Sequence, residues 1–271
     1  MAASLPDLET VGLRRGASNG AELRIELNRP ERMNAWDKQL GTELLAAIEL
    51  AAEDGDVRAV TITGAGRAFS SGADLRAGFD LTPEGRPDLG ARLRDVYHPI
   101  ITGVRRMPKP VLAAVNGPAV GIGCSLALAC DLVLAAESAY FLLAFVNIGL
   151  VPDGGASVFV PARAGAGRAA EMAILGERVP APQGRAWGLV DRLVSDESFD
   201  AEVDALAERL ATGPTRSYAG AKRQINARMY SGLDEQLELE ASMQQDMAGS
   251  GDFPEGVQAF LERRAARFTG Q

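Results

Sequence analysis

Residues 111–136 read VLAAVNGPAVGIGCSLALACDLVLAA, and the parsing of this run decides the fold. The apolar block 111–115 reads as a strand, the turn 116–123 carries Gly117, Gly121 and Gly123, residues 124–130 read as a helix, and 132–136 reads as the next strand. Working outward, residues 21–27 alternate with Leu23, Ile25 and Leu27 on one face, the pattern of a half-buried strand. Asn34 stands where a cap for a helix over 35–54 is expected, since Leu40, Leu44, Ile48 and Ala51 recur at helical spacing. A strand at 57–63 ends in Gly64-Ala65-Gly66, and a helix is expected over 91–106. Downstream, 140–145 suits a short strand, 167–175 a helix, and a further segment runs over 187–194. Strand and helix alternate, which indicates an α/β core.

From Phe199 onward the character changes. Four helical patterns follow, separated by Gly213-Pro214, Ser231-Gly232 and the stretch 251–254, with no strand candidate among them. The chain therefore divides at sequence level into a core, 1–197, and a helical region, 198–271. An apolar stripe at Val257, Phe260, Leu261 and Phe268 needs cover, which either the same chain or a second subunit can supply.

Composition narrows the function classes. Of 271 residues, 46% are hydrophobic, enough for a sizeable core, and the formal net charge of −8 argues against a nucleic-acid binder or a membrane-surface binder, both of which need broad positive fields. An anionic ligand must then be held by local cations or backbone amides. Cys124 and Cys130 sit in an apolar stretch and read as small core residues, a usage that fits a reducing cytoplasm. No apolar run of transmembrane length is present, and the first eight residues lack a basic segment followed by a hydrophobic block.

Three glycine-bearing turns carry the candidate chemistry. They are Arg67-Ala68-Phe69-Ser70-Ser71-Gly72-Ala73-Asp74-Leu75, Asn116-Gly117-Pro118-Ala119-Val120-Gly121-Ile122-Gly123-Cys124, and Val151-Pro152-Asp153-Gly154-Gly155. Where a strand gives way to a helix, backbone N–H groups are left free to bind an anion, and the helix dipole adds to the attraction. The third turn places a carboxylate beside them.

These segments, with Leu27-Asn28-Arg29-Pro30, Lys109-Pro110-Val111, Gly149-Leu150-Val151-Pro152 and Glu255-Gly256-Val257-Gln258-Ala259-Phe260, resemble the enoyl-CoA hydratase/isomerase (crotonase) superfamily, in the family's order over nearly the whole chain. The resemblance implies a spiral of repeated ββα units followed by a helical region used for assembly into a homotrimer or a dimer of trimers. It implies an acyl-CoA thioester as substrate, no separate cofactor, and the amides of Ala73 and Ile122 as an oxyanion hole. It also implies CoA contacts at Arg29, Ser71 and Ala73, with Arg264 as a further basic residue reaching a neighbouring subunit's CoA.

The reaction turns on carboxylates. Family hydratases use two glutamates, and the matching positions here are Ser125 and Phe145, neither of which can act as a base. Asp153 stands where isomerase-like relatives place a single acid. One carboxylate suffices to move a proton from C2 to C4 of a 3-enoyl-CoA, and apolar neighbours such as Phe145, Ile148, Leu150 and Val151 favour the raised pKa such a base needs. The competing role for Asp153 is as a helix N-cap. Asp74 and Asp131 read as structural, and His98, the only histidine, as a packing residue. Metal-ligand spacing is absent. Among rivals, a hydratase, a ring-altering isomerase on aromatic acyl-CoA and a non-catalytic CoA-binding relative stay open. A dinucleotide fingerprint at Gly165-Ala166-Gly167-Arg168 fails because no buried strand leads directly into it.

Overall fold

The computed structural model describes residues 5–16 and 20–271; the first four residues of the N-terminal stretch read for a leader lie outside the described residues. In chain order the elements are β1 (Val11–Arg15), β2 (Glu22–Leu27), α1 (Lys38–Glu53), β3 (Ala59–Gly64), α2 (Leu89–Arg92), a π-helical turn (Leu93–Tyr97), α3 (His98–Arg106), β4 (Val111–Val115), β5 (Ala119–Val120) and α4 (Ile122–Ala129). There follow β6 (Leu132–Ala136), β7 (Tyr140–Leu142), a 3-10 turn (Phe145–Ile148), α5 (Ala156–Ala164), α6 (Ala166–Leu175), β8 (Val179–Pro180), α7 (Ala181–Trp187) and β9 (Arg192–Val194). The chain ends in α8 (Phe199–Thr212), α9 (Thr215–Met229), α10 (Leu233–Ala248) and α11 (Asp252–Glu262).

The larger sheet has the order β1-β2-β3-β4-β6-β9, and the smaller one β5-β7-β8. Apart from the antiparallel β1–β2 edge pair, the larger sheet is parallel. The spiral is visible in the connections. After β4 the chain enters the smaller sheet as β5 and then turns into α4; after β6 it enters as β7 and then reaches α5. After β3 the same step is made by Ser70, which bridges Ala119 before the chain reaches α2. Each repeat is thus one strand per sheet and a helix, the ββα unit.

Strand alternation distributes the core to both faces of the larger sheet. In β4, Val111, Ala113 and Val115 join the main cluster with α1, α3 and α4, while Leu112 and Ala114 join Phe199, Val203, Leu206 and Leu210 of α8 on the other side. A central parallel strand covered on both faces reads as a continuous apolar run, which is why 111–115 shows no polar residue. Every residue of α4 is buried, including Cys124 and, just past its end, Cys130, both free thiols.

Several boundaries differ from expectation. Helix α1 starts at Lys38, and Asp37, not Asn34, caps it by accepting from the Leu40 N–H at 2.9 Å. Asn34 is wholly buried in a left-handed conformation, and its side chain ties the first glycine turn instead, donating to the Ala65 and Ala68 carbonyls. The helix expected over 91–106 contains the π-turn, closed by the His98 N–H to the Leu93 carbonyl, directly before Pro99. Proline lacks the donor for a regular rung and its ring crowds the preceding turn, so a widened turn accommodates it. The strand expected over 140–145 stops at Leu142 and becomes the 3-10 turn. Helix α5, foreseen only as the helix that Asp153 would cap, runs on through Pro161, which breaks the apolar run 158–160. Beyond Phe199 the expected four helices are present. Val257 is partly covered by the Leu89, Ala248 and Phe253 cluster, whereas Phe260, Leu261 and Phe268 are exposed in the single chain.

Candidate active site

Three turns meet at one place. Gly72 has φ +89° and Gly121 has φ +54°, and their backbones touch: a Cβ on Gly72 would lie 3.0 Å from the Val120 carbonyl oxygen and 3.7 Å from Gly121 Cα. Only glycine permits this approach at these backbone angles. The next residues in the chain are Ala73 and Ile122. The Ala73 segment is held by paired bonds to Trp36, with the Trp36 N–H donating to Gly72 and the Asp74 N–H donating to Trp36. Ile122 is the first residue of α4, where the dipole favours negative charge. Among the described residues, neither the Ala73 nor the Ile122 N–H donates to a protein acceptor.

The third turn docks onto the second. A Cβ on Gly154 would lie 2.4 Å from Ile122 Cδ1 and 3.0 Å from Ser125 Cβ. The Ser125 hydroxyl, fully buried on α4, donates to the Asp153 main-chain carbonyl at 2.7 Å. Ser125 is thus a tie between α4 and the turn. Phe145 takes the other side, with its ring edge 3.9 Å from where a Gly121 Cβ would stand.

Asp153 is 5% exposed. Its Oδ2 accepts from the Gln244 amide at 2.8 Å, while Oδ1 is buried without a protein partner. Burial, and then the charge of Glu240, push its pKa well above the usual carboxylate range, against the opposing effect of the Gln244 bond. Asp153 does not cap α5 with its side chain. Glu240 of α10 does so, accepting from the Gly155 N–H at 2.8 Å and from the Ser157 N–H at 3.1 Å. Tyr97 of the π-turn feels the Asp153 charge, and burial is the main reason its hydroxyl holds its proton far above the usual range. The Tyr97 ring stands edge-on to Trp36, with centroids 5.3 Å apart, and the Trp36 Nε1–H is buried and unpartnered. Two unpaired amides and a buried carboxyl of raised proton affinity, with aromatic rings nearby, can together receive a developing oxyanion and move a proton beside it.

The other residues singled out from sequence lie as follows. The Arg29 guanidinium is held by Asp37 at 3.0 Å, by Asp74 at 3.2 Å and by the Ala35 carbonyl at 2.6 Å, so its donors are engaged within the chain. The Ser71 N–H donates to Met33, and its hydroxyl donates to Arg32 at 3.3 Å. Asp74 serves Arg29 and the Arg76 N–H, a structural use. Asp131 pairs with Arg105 and Lys222 and accepts from the Val111 N–H, also structural. Arg264 is tied to Glu255 and Glu262 of its own chain. Burial pushes the His98 pKa down to about 4, in keeping with a packing residue. Gly165 lies between helices α5 and α6, with no strand before it, so the dinucleotide fingerprint has no structural basis. Glu240 and Gln244 were missed. The available signal was their spacing, since both fall on the same α10 stripe as the buried Leu233, Leu237, Ala241 and Ala248.

Comparison with known proteins identifies the family. The sequence profile described as enoyl-CoA hydratase/isomerase matches residues 18–271. A relative named 1,2-epoxyphenylacetyl-CoA isomerase, from Escherichia coli (strain K12), is 40% identical over 250 residues, covering 92% of this chain and 95% of that one. Another, named "Probable enoyl-CoA hydratase", from Rhodobacter capsulatus, is 44% identical over 247 residues, covering 91% and 94%. The crystal structure of an enoyl-CoA hydratase from Mycobacterium avium subsp. paratuberculosis K-10 superposes with a TM-score of 0.88 at 39% identity, covering 97% of this chain and all of the other. With a profile match over residues 18–271 and the ββα spiral in place, the chain belongs to the enoyl-CoA hydratase/isomerase family of the crotonase superfamily.

Proposed function

We propose that the protein is an enoyl-CoA isomerase that shifts a double bond through an enolate, with Asp153 as the only acid/base. The supporting observation is that Asp153 is, among the described residues, the buried carboxyl with an oxygen left unpartnered, its proton affinity raised, and that its turn meets through the Ile122 contact the turns of two unpaired amides. The thioester oxygen accepts from the Ala73 and Ile122 N–H groups. Asp153 takes the proton from C2 of a 3-enoyl-CoA, the electrons move into the thioester to give a dienolate, and the same carboxyl returns the proton at C4. Preorganised donors of this type contribute about 3 kcal/mol each to transition-state stabilisation. Family hydratases act with two glutamates; Ser125 and Phe145 stand at the matching positions and offer no base for water. The CoA nucleotide belongs along the backbone of residues 71–73.

A ring-bearing acyl group is a second reading, favoured by the Trp36, Tyr97 and Phe145 rings near the two turns and by the name of the relative from Escherichia coli. Self-association belongs to the same proposal, supported by the exposed Phe260 and Leu261 of α11 and Leu239 and Met243 of α10.

The test is wild type and Asp153→Asn with a 3-enoyl-CoA and a 2-enoyl-CoA, following conjugation and hydration by absorbance. Wild type converts the first and barely hydrates the second, and the variant loses conversion. Efficient hydration by both proteins would refute the assignment.

A further inference from the structure

We propose that Gln244 is a positioning residue, through which α10 pins one oxygen of Asp153 and leaves the other directed at the substrate proton. This rests on Asp153 being the base. The Gln244 side chain is 1% exposed, and its Nε2 donates to the Val151 carbonyl at 2.7 Å and to Asp153 Oδ2 at 2.8 Å. Both acceptors lack a proton to give when Asp153 is ionised, so the amide orientation is set by its surroundings, and the reversed amide would face oxygen with oxygen. The cost of this arrangement is a buried, unpartnered Gln244 Oε1. A glutamine kept for packing alone would not carry it.

One turn earlier on the same face, Glu240 accepts from the Gly155 N–H, the Ser157 N–H and the Ser157 hydroxyl. The two side chains grip the stretch 151–157 at both ends. Glu240 takes over the capping of α5, which releases Asp153 from the role its place before a helix invites. Without the Gln244 bond the carboxylate torsion is broad and nearly two-fold, so either oxygen could be the unpartnered one. With it, Oδ1 is the free oxygen. The groups near the Asp153 carboxyl are Glu240 and Gln244 from α10 and Tyr97, with Arg92 beside it, from the helix before Pro99, while Ser125 of α4 bonds the Asp153 main-chain carbonyl and Ile122 packs on Gly154. Of these, Gln244 is the one that favours the ionised form.

The experiment compares wild type, Gln244→Met and Asp153→Asn in 3-enoyl-CoA conversion across pH, with thermal unfolding as a check of folding. Methionine matches the length of glutamine and removes the donor. For Gln244→Met, kcat falls by about 10- to 100-fold, as for a catalytic group displaced by a fraction of its own size, KM stays near wild type, and the acid limb of the kcat profile moves to higher pH. A folded Gln244→Met with wild-type kcat and an unmoved acid limb, while Asp153→Asn is inactive, overturns the positioning role alone. A fall in kcat matched by KM with no movement of the limb also overturns it, because that is a packing defect. An active Asp153→Asn overturns the reading of the base itself. If Gln244→Met does not fold, Gln244→Asn, which withdraws the amide by one methylene, is judged by the same outcomes.

Discussion

Substituting Gly72 by alanine tests whether the contact between the two glycine turns creates the oxyanion site. At φ +89° an alanine is strained, at about 1–2 kcal/mol. Its Cβ would also stand 3.0 Å from the Val120 carbonyl oxygen, and since that neighbour is backbone the two turns must separate by a few tenths of an ångström. That shift acts on the Ala73 and Ile122 amides, which need to reach the same oxygen at roughly 2.7–3.1 Å. Losing one such donor costs about 100- to 1,000-fold in kcat. Gly72→Ala should therefore remain folded, melt about 2–6 °C lower, and lose about 100-fold in kcat with KM changed less than about threefold, because the donors act mainly on the developing charge. Steady-state kinetics on a 3-enoyl-CoA beside calorimetry would read both quantities. A lowered melting temperature with kcat intact would show that the glycine contact serves the fold and that the two amides do not work as a pair.

Two further outcomes follow from groups outside the site. Lys222 is buried and donates to Asp131 at 2.7 Å and to the Val104 carbonyl at 2.7 Å, so Lys222→Met breaks a largely buried pair and should cost about 3 kcal/mol in denaturant unfolding, with α9 loosening from the core; an unchanged midpoint would mean the pair contributes nothing net. His98 has its folded pKa depressed to about 4 from 6.5, so the stability it permits is fully present above pH 6.5 and is lost as pH falls toward 4. His98→Gln should flatten this part of the acid unfolding profile, and a variant profile parallel to wild type over that window would exclude the histidine as a cause.

What could be read from sequence was whatever is encoded locally. Strands β2, β3, β4 and β6 carry their burial in alternation or in continuous apolar runs, and the four last helices are marked by their breaks. Strand β1 escaped because Gly12, Arg14 and Arg15 give an edge strand no apolar rhythm, and its place comes from pairing with β2. The extent of helix α5 escaped because a proline late in a short helix reads as a stop. Asn34 misled for a related reason: asparagine is a good cap, but here its side chain bonds a loop some thirty residues away. At the site, the amides and Asp153 stood in recognisable turns. Their partners Gln244 and Glu240 come from α10, about ninety residues later, and no local rule connects a glutamine in a helix to a carboxyl in a distant turn.

Helix α4 carries the Ile122 amide at its start, encloses the Cys124 thiol and ends against that of Cys130, and burial raises both sulfhydryl pKa values to about 12. Since peroxides and alkylating reagents attack thiolates, both sulfurs are chemically silent while the helix is intact. The packing that encloses the helix carrying the Ile122 amide thus also keeps these two sulfurs in the unreactive thiol form.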